Sequence, residues 1–230
     1  MCIRDSTMHV HETAHEVDEA VTQTGVRPLQ RLFELGLVSP SLLAVHMTQL
    51  QRNEIDSLAS SGCHVVHCPE SNLKLASGFC PVSELQNHGV NVALGTDGAA
   101  SNNDLDMLGE MRCAALVAKG VAADPTALPA AAALRMATIN GARALGIDSK
   151  VGSLEAGKHA DIVAINMDSI ETTPLYDPAS HLVYSCSREQ VSDVWIAGKH
   201  VLKNRVLTGL DESSIRQQAH AWSGKIGSED

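Results

Sequence analysis

The sequence has few aromatic residues, little positive charge and no long apolar run. It contains two Trp, two Tyr and two Phe among 230 residues, so its core must be built from Ala, Val, Leu and Ile. The formal charge is −10, from 17 Lys and Arg against 27 Asp and Glu, which argues against a nucleic-acid partner. No apolar run reaches the roughly 20 residues of a membrane helix, and the amino terminus lacks a secretory signal pattern. We therefore predict a globular, cytoplasmic chain.

The six cysteines include no Cys-x-x-Cys pair, so they do not indicate a disulfide-stapled secreted domain. We interpret them as small buried hydrophobic residues. Cys63 and Cys68 flank His64 and His67, which raises a Cys/His metal site as an alternative. The intervening residues have the pattern of a buried strand, whose successive side chains point to opposite faces, and this argues against such a site.

Strand-like and helical segments alternate from Met8 to about Gly146. Apolar runs predict strands over Leu42–His46, His64–His67 and Val90–Thr96. Helical spacing predicts helices over Val17–Thr24, Pro28–Leu35, Gln49–Ser60, Val82–His88, Asp104–Lys119 and Pro129–Leu145. This alternation indicates a parallel α/β body. It has room for about four βα units, so it is either a small open sheet or part of a (β/α)8 barrel, which takes about 250 residues.

The pattern changes after Gly146. We predict a strand over Asp161–Asn166, a hairpin formed by Val191–Ala197 and His200–Leu207, and a helix from Asp211 to about Ile226 with Asp211 as its cap. The chain therefore carries a small, mostly β segment over residues 150–210 and a C-terminal helix over residues 211–230.

Polar residues stand at or just after the carboxyl ends of three predicted strands: His9 with Glu12, His46, and Asp97. Each has an ordinary explanation when taken alone. The His9-x-His11 pair fits a surface role as well as a shared metal, His46 fits a hydrogen-bonded core histidine, and Asp97 before Gly98 fits a turn.

The spacing of these residues is more informative when they are considered together. One βα unit separates His9 from His46, and two short units separate His46 from Asp97. Active sites of parallel α/β proteins assemble at the carboxyl ends of strands. His, His and Asp are typical of zinc hydrolases, and Glu12 adds a carboxyl group that could act as a general acid. We therefore predict a metal-dependent hydrolytic site.

A polar loop is predicted after the strand that ends at His67, at the same edge of the sheet. Its sequence is His67-Cys68-Pro69-Glu70-Ser71-Asn72-Leu73-Lys74-Leu75. Ser71 and Asn72 either bond their own backbone in a structural loop or line the substrate site, and both interpretations stay open.

Five segments resemble the amidohydrolase superfamily, in particular its TRZ/ATZ hydrolases and, among them, the 5-methylthioadenosine/S-adenosylhomocysteine deaminases. The resemblance spans about Met8 to Leu207. It rests on His9-Val10-His11-Glu12-Thr13, Ala44-Val45-His46, the loop from His67 to Leu75, Gly95-Thr96-Asp97-Gly98, and Gly152-Ser153-Leu154-Glu155-Ala156-Gly157-Lys158 followed by Ala160-Asp161-Ile162-Val163.

The resemblance implies strands five to eight of a metal-dependent (β/α)8 barrel, followed by part of a small β-sandwich domain. It implies that His9 and Asp97 bind one zinc ion and that His46 orients the zinc-activated water. It further implies that Glu12 protonates the purine ring nitrogen, that Asp97 shuttles a proton, and that both residues contact the substrate. His11 becomes a bystander. The implied reaction is hydrolytic deamination of the adenine ring of 5-methylthioadenosine or S-adenosylhomocysteine.

The sequence departs from the family pattern at one point, because the first-strand His-x-His pair that supplies two zinc ligands has no counterpart. The resemblance therefore implies the carboxyl half of a longer enzyme, with a foreign leader over residues 1–7 and a partial barrel over residues 8–149. We expect little or no activity from this chain alone, since His9 and Asp97 are two ligands and a catalytic zinc site has at least three.

Two alternatives stay open. Within the enzyme class, the chain fits another amidohydrolase, such as a guanine or cytosine deaminase or a triazine chlorohydrolase. Outside it, the chain fits a non-catalytic domain that forms a homo-oligomer through its open sheet. The expected partner is a small nucleoside, with no nucleic acid and no membrane.

Overall fold

A parallel sheet forms the centre of the body. The computed structural model describes residues 6–226. Four strands lie side by side in sequence order: β1 (Ser6–Val10), β2 (Leu42–His46), β3 (His64–His67) and β4 (Asn91–Leu94). Each neighbouring pair is parallel, which confirms the predicted α/β architecture. The crossovers between strands contain the helices that parallel pairing requires.

The helices of the body have ends that follow local sequence signals. Pro28 occupies the first turn of its helix, where its missing N–H costs nothing. Gly25 and Gly62 end two helices in the left-handed conformation that glycine adopts without strain. The helices are α1 (Ala14–Thr24), α2 (Pro28–Glu34), α3 (Arg52–Ser61), α4 (Pro69–Lys74), α5 (Val82–Asn87), α6 (Ala99–Asn102), α7 (Met107–Ala122), α8 (Ala130–Met136) and α9 (Ile139–Ala144).

The single helix predicted over Pro129–Leu145 is wrong, because the chain forms α8 and α9 with a break at Thr138. The Thr138 backbone is not helical, and its hydroxyl donates to the carbonyl of Leu134. In α9, the Asn140 side chain donates to the carbonyl of Val92 in β4. This bond ties α9 to the sheet.

Two further segments differ from the expected secondary structure. Ser6 and Thr7 of the predicted leader lie in β1 and pair with Leu42 and Leu43, so β1 begins before Met8. The rest of the predicted leader lies outside the described residues. The segment after His67, predicted as a loop, contains helix α4, because Pro69 starts a helix as readily as it starts a turn.

The core lies on both faces of the sheet. All five residues of β2 are buried. The buried cluster around them is made of Ala, Val, Leu, Ile, Met and Cys, as the low aromatic content predicts. Its fully buried helical members include Leu29, Ile55, Leu58, Leu85 and Met136.

The second part of the chain forms an antiparallel sheet of four strands: β5 (Ile162–Ile165), β6 (Val191–Ile196), β7 (Lys199–Lys203) and β8 (Val206–Leu207). The predicted strand over His200–Leu207 is divided in two, because Asn204 and Arg205 adopt a left-handed turn. The final helix, α11 (Glu212–Ile226), begins after Asp211, whose carboxylate accepts hydrogen bonds from the backbone of Ser213 and Ser214. This confirms the predicted cap.

Helix α10 (Pro178–Tyr184), which the sequence patterns did not indicate, packs against α7 and α8 of the body. Its Val183 is fully buried in the main core. The Arg112 guanidinium of α7 donates to the carbonyl groups of Val183 and Cys186. The chain thus packs against the parallel body again between β5 and β6 of the antiparallel sheet. Among residues 6–226, no helix has the length and apolar character needed to cross a membrane.

Removal of a core side chain should lower stability sharply. Leu85→Ala should reduce the free energy of unfolding by about 2–5 kcal/mol, because Leu85 is completely buried and the change leaves a cavity. Urea denaturation followed by circular dichroism measures this loss. As a control, Leu116→Ala, in the half-exposed position of α7, should cost less than about 1 kcal/mol. Equal losses in the two variants would contradict the assigned core.

Candidate active site

The carboxyl ends of the strands bring four predicted residues together. In the β1–β2 pair, His9 lies opposite Val45 and Val10 lies opposite His46. His46 and Asp97 both have positive φ angles, 75° and 60°, so the chain turns sharply where each strand or its extension ends. A non-glycine residue in this region is held there only by its surroundings, and such residues cluster at functional sites.

The distances within the site are short. His9 Nδ1 lies 3.8 Å from Glu12 Oε2, and His9 Nε2 lies 3.7 Å from Asp97 Oδ1. His46 Nε2 lies 3.7 Å from Glu12 Oε2 and 3.9 Å from Asp97 Oδ2. The His46 ring is buried, whereas the His9 side chain is 53% exposed. The site is therefore open to solvent on the His9 side and closed behind His46.

Asn72 fixes the tautomer of His46. The Asn72 Oδ1 lies 2.8 Å from His46 Nδ1 and can only accept, so Nδ1 donates. In the neutral ring, Nε2 is then an acceptor, and it lies 3.1 Å from His9 Nδ1. His9 therefore donates through Nδ1 and directs the lone pair of Nε2 toward the carboxylate of Asp97. The lone pair of His9 Nε2 and the carboxylate of Asp97 therefore face one another. A cation between these two acceptors would stabilise the arrangement.

Hydroxyl groups from two helices hold Asp97. Ser71 Oγ of α4 and Ser101 Oγ of α6 each donate to Asp97 Oδ2 at 2.8 Å. Burial alone would raise the pKa of Asp97. The two hydroxyl groups, the N–H of Gly98 and the nearby His46 outweigh that effect and hold the pKa below its usual value. Asp97 is therefore an ionised carboxylate at neutral pH.

The turn that carries Glu12 is fixed by backbone hydrogen bonds. The carboxylate of Glu16 accepts from the N–H groups of His11 and Glu12, at 3.1 and 2.7 Å. Thr48 Oγ1 donates to the Glu12 carbonyl at 2.6 Å, which ties the turn to the residues that follow β2. Ser77 Oγ lies 3.5 Å from Glu12 Oε1. The Glu12 carboxyl group is held beside the two histidines as a result.

His11 and His67 lie behind the site and do not join the cluster. The buried ring of His11 accepts a hydrogen bond from the N–H of Leu29, and its Nδ1 lies 3.8 Å from Glu54. His11 therefore points toward α2 and α3, so a metal shared by the His9-x-His11 pair does not fit this geometry. Burial, with a smaller effect of His46, lowers the pKa of His67 to about 3 and keeps that ring neutral.

Four of the five cysteines within residues 6–226 are buried, and Cys113 is partly buried. Burial raises the pKa of both the Cys63 and the Cys68 thiols to about 12, so neither supplies a thiolate at neutral pH. Among the described residues, the group with metal-binding geometry is His9, Glu12 and His46, whose ligand atoms lie within 4.8 Å of one another. Asp97 borders this group. Imidazole nitrogen and carboxylate oxygen are donors that zinc accepts, so these residues fit a zinc ion.

Comparison with known proteins establishes the family. The family model described as the amidohydrolase family matches residues 6–201. The chain belongs to the amidohydrolase family. This confirms the family resemblance seen in the sequence motifs and places the His9–Glu12 turn, His46 and Asp97 inside the matched region.

Relatives of this amidohydrolase are similar along nearly its whole length. A 5-methylthioadenosine/S-adenosylhomocysteine deaminase of Teredinibacter turnerae is 51% identical over 220 residues, which cover 96% of this chain and 50% of the relative. A zinc-bound adenosine deaminase of Xanthomonas campestris superimposes with a TM-score of 0.95 at 55% identity, over 96% of this chain and 51% of the other. A zinc complex of an atrazine chlorohydrolase of Arthrobacter aurescens superimposes with a TM-score of 0.87 at 29% identity, over 94% and 48%.

The extent of these matches confirms the predicted fold class. The parallel body and the antiparallel sheet together superimpose on solved amidohydrolases, as half of a barrel with part of a β domain would. The chain spans about half the length of the curated relatives it matches.

The sequence predicts that His9, Glu12, His46 and Asp97 lie together, as they do in the structure, but it does not predict the groups that hold them. Ser71 and Asn72 bond Asp97 and His46 directly, so the interpretation that they satisfy only their own backbone is wrong. Ser101 and Glu16 also hold the site and are not among the predicted site residues. Ser101 lies four residues after Asp97 and Glu16 four residues after Glu12, and this i to i+4 spacing at the start of a helix is the signal that could have indicated them.

Loss of the two serine hydroxyl groups should raise the pKa of Asp97. In the Ser71→Ala, Ser101→Ala double variant, the ionised carboxylate loses two hydrogen bonds, so its protonated form becomes relatively more stable. Carboxyl carbon chemical shifts followed during an acid titration measure this pKa. Ser57→Ala, whose hydroxyl donates to a helix carbonyl on the surface, serves as the control and should leave the pKa of Asp97 unchanged. An unshifted pKa in the double variant would show that these bonds do not stabilise the charge.

Proposed function

We propose that the full-length protein carrying this chain is a zinc-dependent hydrolase that deaminates the adenine ring of 5-methylthioadenosine or S-adenosylhomocysteine. The observation that carries this proposal is the convergence of His9, Glu12, His46 and Asp97 at one edge of the parallel sheet. The relative of Teredinibacter turnerae, which bears that name at 51% identity, supports the choice of substrate.

His9 and Asp97 would hold the zinc ion, because their Nε2 and Oδ1 atoms face one another across 3.7 Å. When bound, the ion supplies a water molecule whose pKa is lowered toward about 7. His46 donates through Nδ1 to Asn72, so its Nε2 faces the site as an acceptor, next to His9 Nδ1, and from there it would orient a water molecule. Asp97 is ionised and can accept a proton.

Glu12 and Asp97 divide the proton transfers of the reaction. Addition of water to the amine-bearing carbon of adenine requires a proton at the adjacent ring nitrogen, which Glu12 donates. Asp97 takes one proton of the attacking water and passes it to the leaving amine, while the second proton, on the new hydroxyl group, returns to Glu12 as the ring carbonyl forms. Water and the nucleoside thus yield ammonia and the corresponding oxo-purine. Ser71 and Ser101 hold Asp97 in position for both transfers.

Replacement of Glu12 distinguishes an effect on zinc binding from an effect on proton transfer. In the full-length protein, Glu12→Gln should leave zinc content unchanged and lower kcat about 10²–10⁴-fold, because the amide cannot deliver the proton. Elemental analysis measures the metal, and the fall in adenine absorbance on deamination measures the rate. Glu84→Gln, at an exposed position of α5, should keep both values. Full activity of Glu12→Gln would refute the assigned role.

The 230-residue chain alone should bind zinc weakly and show little or no deaminase activity. The proposed mechanism assigns His9 and Asp97 to the metal and reserves Glu12 and His46 for proton transfer and water orientation, whereas a catalytic zinc site uses at least three protein ligands. Dialysis against buffered zinc followed by elemental analysis measures occupancy. Stoichiometric zinc together with turnover of 5-methylthioadenosine by the purified chain would contradict this expectation.

A second candidate function is hydrolysis of a substituted triazine. It is favoured by the structural similarity to the zinc-bound atrazine chlorohydrolase, although the identity is 29% there against 51% for the deaminase. Both reactions place a nucleophile on an electron-poor ring carbon. Assay of the full-length protein against adenine nucleosides, guanine, cytosine and chlorotriazines distinguishes these substrates, and turnover confined to triazines would overturn the proposed deamination.

A further inference from the structure

A second polar cluster consists of Glu70, Asn102 and Glu110. None of these residues has a catalytic or metal-binding role in the proposed mechanism. Glu110 of α7 is fully buried. Its Oε1 accepts from Asn102 Nδ2 of α6 at 2.7 Å, and its Oε2 accepts from the backbone N–H of Glu70 in α4 at 3.3 Å. The same Asn102 amide also donates to Glu70 Oε2 at 3.1 Å. Three helices are joined through these side chains.

The residues adjacent in sequence to Glu70 and Asn102 make the hydrogen bonds that hold His46 and Asp97. Glu70 is followed by Ser71 and Asn72, which bond Asp97 and His46. Asn102 is preceded by Ser101, which also bonds Asp97. A shift of α4 or α6 by a fraction of an ångström would therefore lengthen the hydrogen bonds to both functional side chains.

Glu110 and Asn102 are buried polar residues, and Glu70 is partly buried. An apolar residue at position 110 would fill the same space without a buried carboxyl group, which is costly to bury. Burial, with smaller effects of Glu70, Asp104 and Asp106, raises the pKa of Glu110 to about 8 against the opposing effect of the Glu70 N–H. Glutamine at this position keeps one acceptor oxygen, which can still accept from Asn102, and loses the acceptor for the Glu70 N–H.

We infer that Glu110 is a positioning residue, which acts through Asn102 and Glu70 to set the places of Ser71, Asn72 and Ser101 and so the orientation of His46 and Asp97. Its importance for turnover rests on the proposed function. Its effect on the orientation of His46 does not, because that can be observed in the chain without metal or substrate.

The tautomer of His46 provides the test. In the wild-type chain, nitrogen NMR of labelled histidine at neutral pH should show His46 protonated at Nδ1, as its bond to Asn72 requires. Glu110→Ala should cause loss of this signature, because α4 is no longer held at Glu70. Glu110→Gln, which keeps the acceptor for Asn102, should retain it in part. A wild-type His46 signature in Glu110→Ala would overturn the inference.

A matched control separates positioning from general loss of stability. Met111→Ala removes the next, equally buried side chain of α7 and should lower the melting temperature while His46 keeps its Nδ1 signature. Loss of the signature in Met111→Ala to the same extent as in Glu110→Ala would also overturn the inference.

A second pair of variants decides the question if Glu110→Ala fails to fold. A Cβ at Gly109 would lie 2.9 Å from Glu70 Oε1 and push that carboxylate from Asn102, whereas a Cβ at Gly120 of the same helix meets nothing within 4 Å. Both changes favour the helix. Gly109→Ala should shift the His46 resonances and Gly120→Ala should not. Identical spectra in the two variants would overturn the inference.

Discussion

The register between β1 and β2 is the constraint on which the site depends. It places His9 beside Val45 and ends both strands at the same edge, so that the turn after β1 carries Glu12 toward His46. A slip of one residue would turn His9 to the opposite face of the sheet. The complete burial of β2 makes such a slip costly, because it would exchange the environments of all its side chains.

Helix α4 is hydrogen-bonded both to His46 and Asp97 of the site and to Asn102 of the second polar cluster. Three successive residues of a six-residue helix face three different partners: Glu70 meets Asn102, Ser71 meets Asp97, and Asn72 meets His46. The helix lies directly after β3, so its position follows from the sheet. The site is therefore built on short segments that leave the strands and are held from behind by side chains of α6 and α7.

Much of this could be predicted from the sequence, because apolar runs and terminal glycines indicate strands and helices locally. His9, Glu12, His46 and Asp97 could be predicted as one site, since parallel strands end at a common edge. Their supporting groups could not. The bond between Asn72 and His46 joins residues 26 positions apart, and no local pattern indicates which residues of a polar segment meet. Helix α10 was absent from the prediction for the same reason, because its buried face is completed by distant helices.

The return of α10 to the body has a consequence for the order in which the chain can fold. The bonds from Arg112 to Val183 and Cys186 span 71 and 74 residues of sequence. Contacts of such separation form late, because a long loop must close before they contribute. During synthesis, α7 and α8 therefore keep an apolar face open until α10 has left the ribosome. Strand β5 precedes α10 and the other three strands follow it, so the second sheet is completed only after α10 has been synthesised.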